Sequence, residues 1–212
     1  MERYKKDFLT TLKGFDFNTL ENSKHSIYGL SKNLNLTYFN PSWFRFLKEN
    51  NFEESDLHKF PLGTSIIQAL RGEIKDFYIQ NYKKVLETGE IWQHEYECSS
   101  SKEFRKFHQG VYPLKNGEGL IVINSLLVNL PMDQIGRKAH DAIAKNYLQS
   151  TGFITQCSNC RKCQRVDQEE VWDWVPEWVE RMPANSSHSI CPTCFDYYWK
   201  YPRIKDTSPN GI

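Results

Sequence analysis

Long apolar runs are missing from this sequence. No stretch approaches the roughly 20 apolar residues that a membrane-spanning helix needs. The N-terminus, MERYKKDFLTTLKGFDF, has neither the apolar core nor the small-residue cleavage site of a secretory signal. Charge of one sign is also missing. The 27 Lys and Arg against 26 Asp and Glu leave a net charge of +1. That balance argues against a dedicated binder of nucleic acid or anionic membrane, which draws its affinity from a basic surplus. Cysteine is sparse until late: of the 6 present, only Cys98 precedes residue 157. There is no Walker phosphate loop, no kinase phospho-acceptor region, no nucleotide-cyclase-like motif, no internal repeat and no low-complexity tract. The expectation is a cytoplasmic protein with neither membrane nor nucleic acid as partner. In that reducing compartment clustered cysteines bind metal more often than they pair as disulfides.

What is present suits a folded protein. The 212 residues are enough for one full domain and something smaller, and 39% hydrophobic with 14% aromatic residues supports a buried core. Residues 25–30 and 34–39 read as short strands, separated by the polar turn Ser31-Lys32-Asn33. After Asn40-Pro41-Ser42, the residues Trp43, Phe44, Phe46 and Leu47 predict a helix over 43–50. A second helix is predicted over 72–87, where Ile74, Phe77, Tyr78, Tyr82, Val85 and Leu86 recur at spacings of three and four before Gly89 stops it. Strands follow over 91–98, 104–114 and 119–128, joined by Ser99-Ser100-Ser101 and Lys115-Asn116-Gly117, which suit antiparallel hairpins. The last, LIVINSLLV, is continuously apolar and belongs at the centre of a sheet. Two strands, helices, then three strands define an α+β fold with helices over an antiparallel sheet. Beyond Pro131, Ile135, Ala139, Ala142, Ile143, Tyr147 and Leu148 make a stripe that predicts a helix over 133–150.

Two stretches of the first half carry a family resemblance. Ser26-Ile27-Tyr28-Gly29-Leu30 with Leu36-Thr37-Tyr38-Phe39-Asn40-Pro41-Ser42-Trp43-Phe44-Arg45-Phe46-Leu47 resembles the opening of a PAS sensory domain. Glu95-Tyr96-Glu97-Cys98-Ser99-Ser100, Phe104-Arg105-Lys106-Phe107 and Tyr112-Pro113-Leu114 are similar to the late strands of one bacterial PAS subgroup. The resemblance covers residues 22–130. It implies a five-stranded antiparallel sheet cupping a small cavity, helices over the open face, and a sensor that answers to a ligand, redox state, light or a partner. It also implies a signalling helix after the last strand, where 131–152 lies. Residues 1–21 would be a helical extension and 202–212 a flexible tail.

The cavity's ligand is left open by the sequence. Alternation along 91–98 puts Trp92, His94, Tyr96 and Cys98 on one face, the candidate lining, because the other face carries two carboxylates. His94 is a candidate haem ligand, although a half-buried structural role is the commoner one, and the helix over 72–87 has no histidine. Cys98 is a candidate redox thiol beside the reading of inert packing. The flavin-binding Asn-Cys-Arg-Phe motif is absent. An apolar core without cofactor is the preferred reading.

The second half carries the sharpest chemistry. Cys157-x-x-Cys160 and Cys191-x-x-Cys194 are two knuckles whose sulfurs can converge at about 2.3 Å on one ion, and soft thiolates in a closed set favour Zn²⁺. Cys163 and His188 are alternates for a ligand position or for a hydrogen bond to a coordinating sulfur. Val171, Trp174, Val175, Trp178 and Val179 predict a helix between the knuckles, with Pro176 in its first turn. A module of about 50 residues, 153–201, is marginal on its core alone, which gives a structural metal its purpose. Ser187-His188-Ser189-Ile190-Cys191-Pro192-Thr193-Cys194, with Cys157-Ser158-Asn159-Cys160-Arg161-Lys162, resembles a cysteine-rich appendage found after bacterial PAS domains. Cys163 stands where that pattern has an aliphatic residue.

From 151 to 200, Arg161, Lys162, Arg165, Arg181 and Lys200 face seven carboxylates, Asp167, Glu169, Glu170, Asp173, Glu177, Glu180 and Asp196. A thiolate-bound metal adds further negative charge, so DNA binding is disfavoured and protein contact through Trp172, Trp174, Tyr198 and Trp199 is preferred. The expected protein is a non-enzymatic bacterial sensor acting through a partner protein or a homodimer. The alternative is a thiol redox switch whose CxxC pairs release metal on oxidation. An enzyme built on His94, Glu95, Cys98 and His108 lacks a recognisable nucleophile, base and orienting group.

Overall fold

Five strands form one antiparallel sheet in the computed structural model, which describes residues 2–12, 14–50, 61–70 and 72–200. They are β1 (Ser26–Ser31), β2 (Leu36–Phe39), β3 (Trp92–Glu97), β4 (Glu103–Pro113) and β5 (Gly119–Pro131), in the order β2-β1-β5-β4-β3. The continuously apolar strand is thus the central one, and Leu120, Ile121 and Val122 have no exposed surface. Among the described residues between β2 and β3 lie two α-helices, Pro41–Glu49 and Glu73–Thr88, and the 3₁₀ turn Ile66–Ala69, while Phe8–Thr11 and Phe17–Asn22 precede β1. In chain order these four α-helices are α1 (Phe8–Thr11), α2 (Phe17–Asn22), α3 (Pro41–Glu49) and α4 (Glu73–Thr88). Helix α4 stops where Gly89 turns left-handed at φ 72, and its N–H closes on the Val85 carbonyl.

The two faces of the sheet are covered differently. Helices α3 and α4 lie over the face that carries Tyr28, Gln109 and Asn124. The other face is covered by α1 and α2, whose Phe8 and Leu20 join the first unit's core. Phe8, Leu20, Ile27, Tyr38, Leu114 and Ile121 form one buried cluster there, with Phe8 stacked on Tyr38 at 4.7 Å. Arg3 holds Glu21 by a two-pronged ion pair at 2.6 and 2.9 Å, and the Tyr38 hydroxyl donates to Glu21 at 2.9 Å. Each large side chain buried in such a cluster contributes roughly 1.5–3 kcal/mol.

The chain divides into two units, Met1–Gly136 and Arg137–Ile212. The second has a four-stranded sheet in the order β8-β7-β6-β9, built from β6 (Ile154–Cys157), β7 (Cys163–Gln164), β8 (Trp172–Asp173) and β9 (Ser186–Ser189). Two short helices complete it, α5 (Pro176–Glu180) and α6 (Pro192–Phe195). Its core joins Tyr147, Ile154, Cys163, Val175 and Trp178.

Two sequence expectations are corrected here. Residues 133–150 are not a helix: only the 3₁₀ turns Met132–Ile135 and Ala144–Asn146 form. Gly136 takes the left-handed φ of 65, and beyond it the backbone closes only isolated turns, Tyr147 and Leu148 on the Ala144 carbonyl, while the Gln149 N–H reaches forward to Phe153. The His140 N–H bonds the Trp174 carbonyl at 2.8 Å, and Tyr147 buries its ring edge-on to Trp178 while donating to Asp173 at 2.9 Å. An isolated helix of this length is marginal, so these contacts win. The helix expected around Trp174 is also shorter. Pro176 begins it, because a residue before proline is driven out of the helical region, and Val175 sits at φ −116, ψ 90. Trp172 and Asp173 pair instead with Gln164 and Cys163. The expected flexible tail, 202–212, lies outside the described residues.

Candidate functional site

The parallel pairing of β6 with β9 decides where the cysteines meet. Cys157 is opposite Ser189, so the ends of both strands lie side by side and their knuckles begin at the same place. The first knuckle is a tight turn: the Arg161 N–H reaches the Cys157 carbonyl at 3.0 Å, and Arg161 adopts φ 60. The second places Cys191 immediately before α6 and Cys194 inside it, with the Phe195 N–H on the Cys191 carbonyl at 2.8 Å.

Cys157, Cys160, Cys191 and Cys194 are all buried, and their sulfurs lie within 4.8 Å of one another. Cys160 and Cys191 are 3.6 Å apart. Four sulfurs at the corners of a tetrahedron with bonds of about 2.3 Å would be separated by about 3.8 Å, so the set fits a thiolate-preferring metal ion. The electrostatics fit as well. Hydrogen bonding from Cys160 holds the Cys157 thiol well below its ordinary range, and the same bond pushes Cys160 far above it. Four such sulfurs cannot all ionise together unless a cation sits among them.

Neighbouring groups orient the sulfurs. The Cys191 N–H donates to the Cys157 sulfur at 3.4 Å, and the Asn159 side chain donates to the Cys194 sulfur at 3.2 Å. Asn159 is fixed in turn by the Tyr198 hydroxyl at 3.0 Å. Sequence reasoning missed Asn159. The signal was a carboxamide inside a CxxC turn, where a donor to sulfur is useful.

The alternates take other places. Cys163 is 1% exposed in the apolar core, outside the four-sulfur group, and burial pushes its thiol up to about 11. That fits a position where an aliphatic residue is usual. Replacing it by valine is expected to cost less than about 1.5 kcal/mol and to leave metal content unchanged, which thermal melting and elemental analysis of the variant would check. His188 lies on β9 opposite Gln156, also outside the group.

A second site lies on the inner face of the first unit. A chamber of about 260 Å³ is lined by rings, including Trp43, Phe46, Tyr96 and Phe107, and by a run of neutral polar groups. The Tyr28 and Tyr82 hydroxyls are 3.0 Å apart, and Tyr82 donates to the Gln109 oxygen at 3.3 Å. The Gln109 amide and the Tyr96 hydroxyl both donate to the Asn124 oxygen, each at 3.0 Å. Of the four residues expected to line the cavity, Tyr96 lines this chamber, and Trp92, His94 and Cys98 are not among its described lining residues. Trp92 and His94 stack on each other at 5.5 Å and pack against Phe77 and Tyr78 of α4, which fill the space over the first half of β3. Cys98 lies past the end of β3, its N–H on the Arg105 carbonyl. Sequence reasoning missed Gln109 and Asn124; for Asn124 the signal was an amide inside an apolar strand, a costly placement unless partnered. Glu95 and His108 face each other across the β3–β4 ladder, on the side opposite His94.

No protein-family model matches the chain, and no curated protein does so either. Solved structures that align with it include PAS domains. The PAS domain of BvgS from Bordetella pertussis aligns at 14% identity over 57% of this chain and 88% of its own, with a TM-score of 0.40. A domain of an HTR-like protein from Haloarcula marismortui aligns at 16% identity over 50% of this chain and all of its own, with a TM-score of 0.36. A PAS domain from a two-component sensor histidine kinase aligns at 13% identity over 52% and 91%, with a TM-score of 0.34. The α+β architecture itself, a five-stranded antiparallel sheet with helices over its cavity face, is what the PAS resemblance implied. Among the described residues no helix is long and apolar enough to cross a membrane.

Proposed function

We propose that this chain is a non-enzymatic sensory signalling protein. The first unit perceives a small ligand, a redox change or a partner. The second is held together by Zn²⁺ on Cys157, Cys160, Cys191 and Cys194 and passes the signal on by protein contact. The observation that carries the reading is a ring-lined chamber whose polar groups are phenols, amides and a hydroxyl, in the same chain as a closed set of four buried sulfurs. Such a chamber suits binding, and a closed thiolate set suits a structural ion, because it leaves no position open for substrate. When bound, the ion supplies the positive charge that keeps all four sulfurs as thiolates.

Contact with a partner is best supplied by Phe195 and Trp199, which stack at 5.0 Å and are about 40% exposed. Trp174 and Tyr198, also candidates from the sequence, are buried and serve the core. The acidic excess between residues 151 and 200 disfavours nucleic acid as the partner of the cysteine-rich module. The rival reading, a redox switch, draws on the 3.6 Å between Cys160 and Cys191, close enough for a disulfide after a small shift.

Native mass spectrometry with elemental analysis, on protein purified without reductant, separates the two. One zinc per chain that persists after mild peroxide treatment is the expected result. Release of the metal with gain of a disulfide would establish the switch, and a folded protein without metal would overturn the zinc assignment.

A further inference from the structure

The chamber of the first unit borders a second compartment of opposite character, with which it shares lining residues. None of the described residues lining the inner 260 Å³ carries a charge. Burial pushes the Tyr28 phenol up to about 12 and those of Tyr82 and Tyr96 well above their usual range, so the walls stay neutral. An ion placed there would lose its water with no counter-charge to replace it. The inner guest is therefore neutral, and the rings around it favour a flat one. Phe107 stacks on Tyr96 at 5.6 Å and stands edge-on to Phe46 at 5.5 Å.

The hydrogen bonds inside have a direction. Tyr82 spends its proton on Gln109, so Tyr28 must donate to Tyr82, and Tyr96 spends its own on Asn124. Both ends of the run thus present phenol oxygens as acceptors. A guest that matches them brings a donor, a hydroxyl or an N–H, on its ring.

The outer compartment, about 580 Å³, shares Ser26, Phe46, Phe107 and Asn124 with the inner one. Among the described residues its charged lining is Lys24, Arg45 and Arg105 against Glu49 and Glu103, a surplus of one positive charge. The Arg105 side chain is only 11% exposed and its guanidinium sits 5.8 Å above the Phe46 ring, the ring that both compartments share. Its Nε is held by the Cys98 carbonyl at 3.0 Å, while Glu103 is 4.0 Å from Nη1, beyond hydrogen-bond reach. Arg45 has one nitrogen on Ser42 at 3.2 Å. Guanidinium donors remain on both for a single carboxylate, the group their planar geometry fits best.

We propose that the chamber binds a small aromatic acid, with a donor-bearing ring in the inner compartment and its carboxylate between Arg45 and Arg105. This rests on the sensory reading of the first unit and specifies its ligand class. The test is calorimetric titration of the full chain with 4-hydroxyphenylacetate, its primary amide, and cyclohexylacetate. The acid is expected to bind at least about tenfold more tightly than either of the others, one missing charge pair or one missing ring costing that much. Arg45→Gln and Arg105→Gln are expected to erase the preference for acid over amide while the amide binds as before. An amide that binds as well as the acid, or a preference that survives both variants, would overturn the proposal while leaving a ligand chamber. Binding of none of the three would overturn the proposal together with the small-ligand arm of the sensory reading.

Discussion

Stripping the metal from the intact chain with a strong chelator is expected to unfold the second unit and leave the first folded. The second unit has few resources of its own. Its described core joins five buried residues, its strands β7 and β8 have two residues each, and the long approach from 137 to 153 is irregular. A structural zinc ion contributes on the order of 10–16 kcal/mol to modules of this kind at neutral pH, more than such a core supplies. The knuckles also hold the β6–β9 pairing, since Ser158 and Cys191 bond across it to Ser189 and to the Cys157 sulfur. The first unit has its own five-stranded sheet and no part in the sulfur cluster. Hydrogen exchange followed by peptide-level mass spectrometry would read this directly: amides of 154–164 and 186–195 lose protection while those of β4 and β5 keep it. Retention of protection in both regions after complete metal removal would contradict the account. Acidification should act as a weak chelator, because protons compete with the ion for the four sulfurs.

Asn40→Ala is expected to destabilise the first unit by about 3–5 kcal/mol, far more than its size suggests. Asn40 has no exposed surface, and its side chain serves four backbone groups. Its oxygen accepts from the N–H of Ile27 and from that of Trp43, both at 3.0 Å, the second being the N-cap bond of α3. Its nitrogen donates to the carbonyls of Leu20 at 3.2 Å and His25 at 2.9 Å. One side chain therefore ties α2, β1 and α3 together, and alanine would leave these groups without it in a dry interior. Urea denaturation monitored by circular dichroism would measure the loss, and Asn40→Asp, which keeps the acceptor but not the donors, should fall between. A change below about 1 kcal/mol for alanine would show that water replaces the carboxamide.

The first unit was largely legible because its signals are local. Alternation, the turn residues and Gly89 place the first four strands and α4 within a residue or two, β5 runs three residues past its expected end, and the unbroken apolar run 120–123 identifies the central strand. The metal ligands were legible for the same reason: a CxxC spacing carries its geometry within four residues. What failed depended on distant partners. The stripe from Ile135 to Leu148 has a helical period, yet Ile143 and Leu148 are over 40% exposed while Tyr147 is buried against Trp178, 31 residues away. Periodicity cannot foresee which neighbour will claim a backbone group. The cavity face of β3 was assigned with its alternation intact, but Phe77 and Tyr78 fill the space above Trp92 and His94, and only the helix's placement reveals that.

The N-terminal segment has one more effect. The Phe39 N–H bonds the Arg3 carbonyl and the Lys5 N–H bonds the Thr37 carbonyl, so residues 3–5 run along the outer border of β2 and occupy its free hydrogen-bonding groups. A five-stranded open sheet has two such borders, and each is a template on which a foreign strand can zip up. Here one is spoken for by the chain's own beginning. At that border a second chain can add a strand only if residues 3–5 first let go, so the chain's own backbone competes with any newcomer for the same hydrogen bonds.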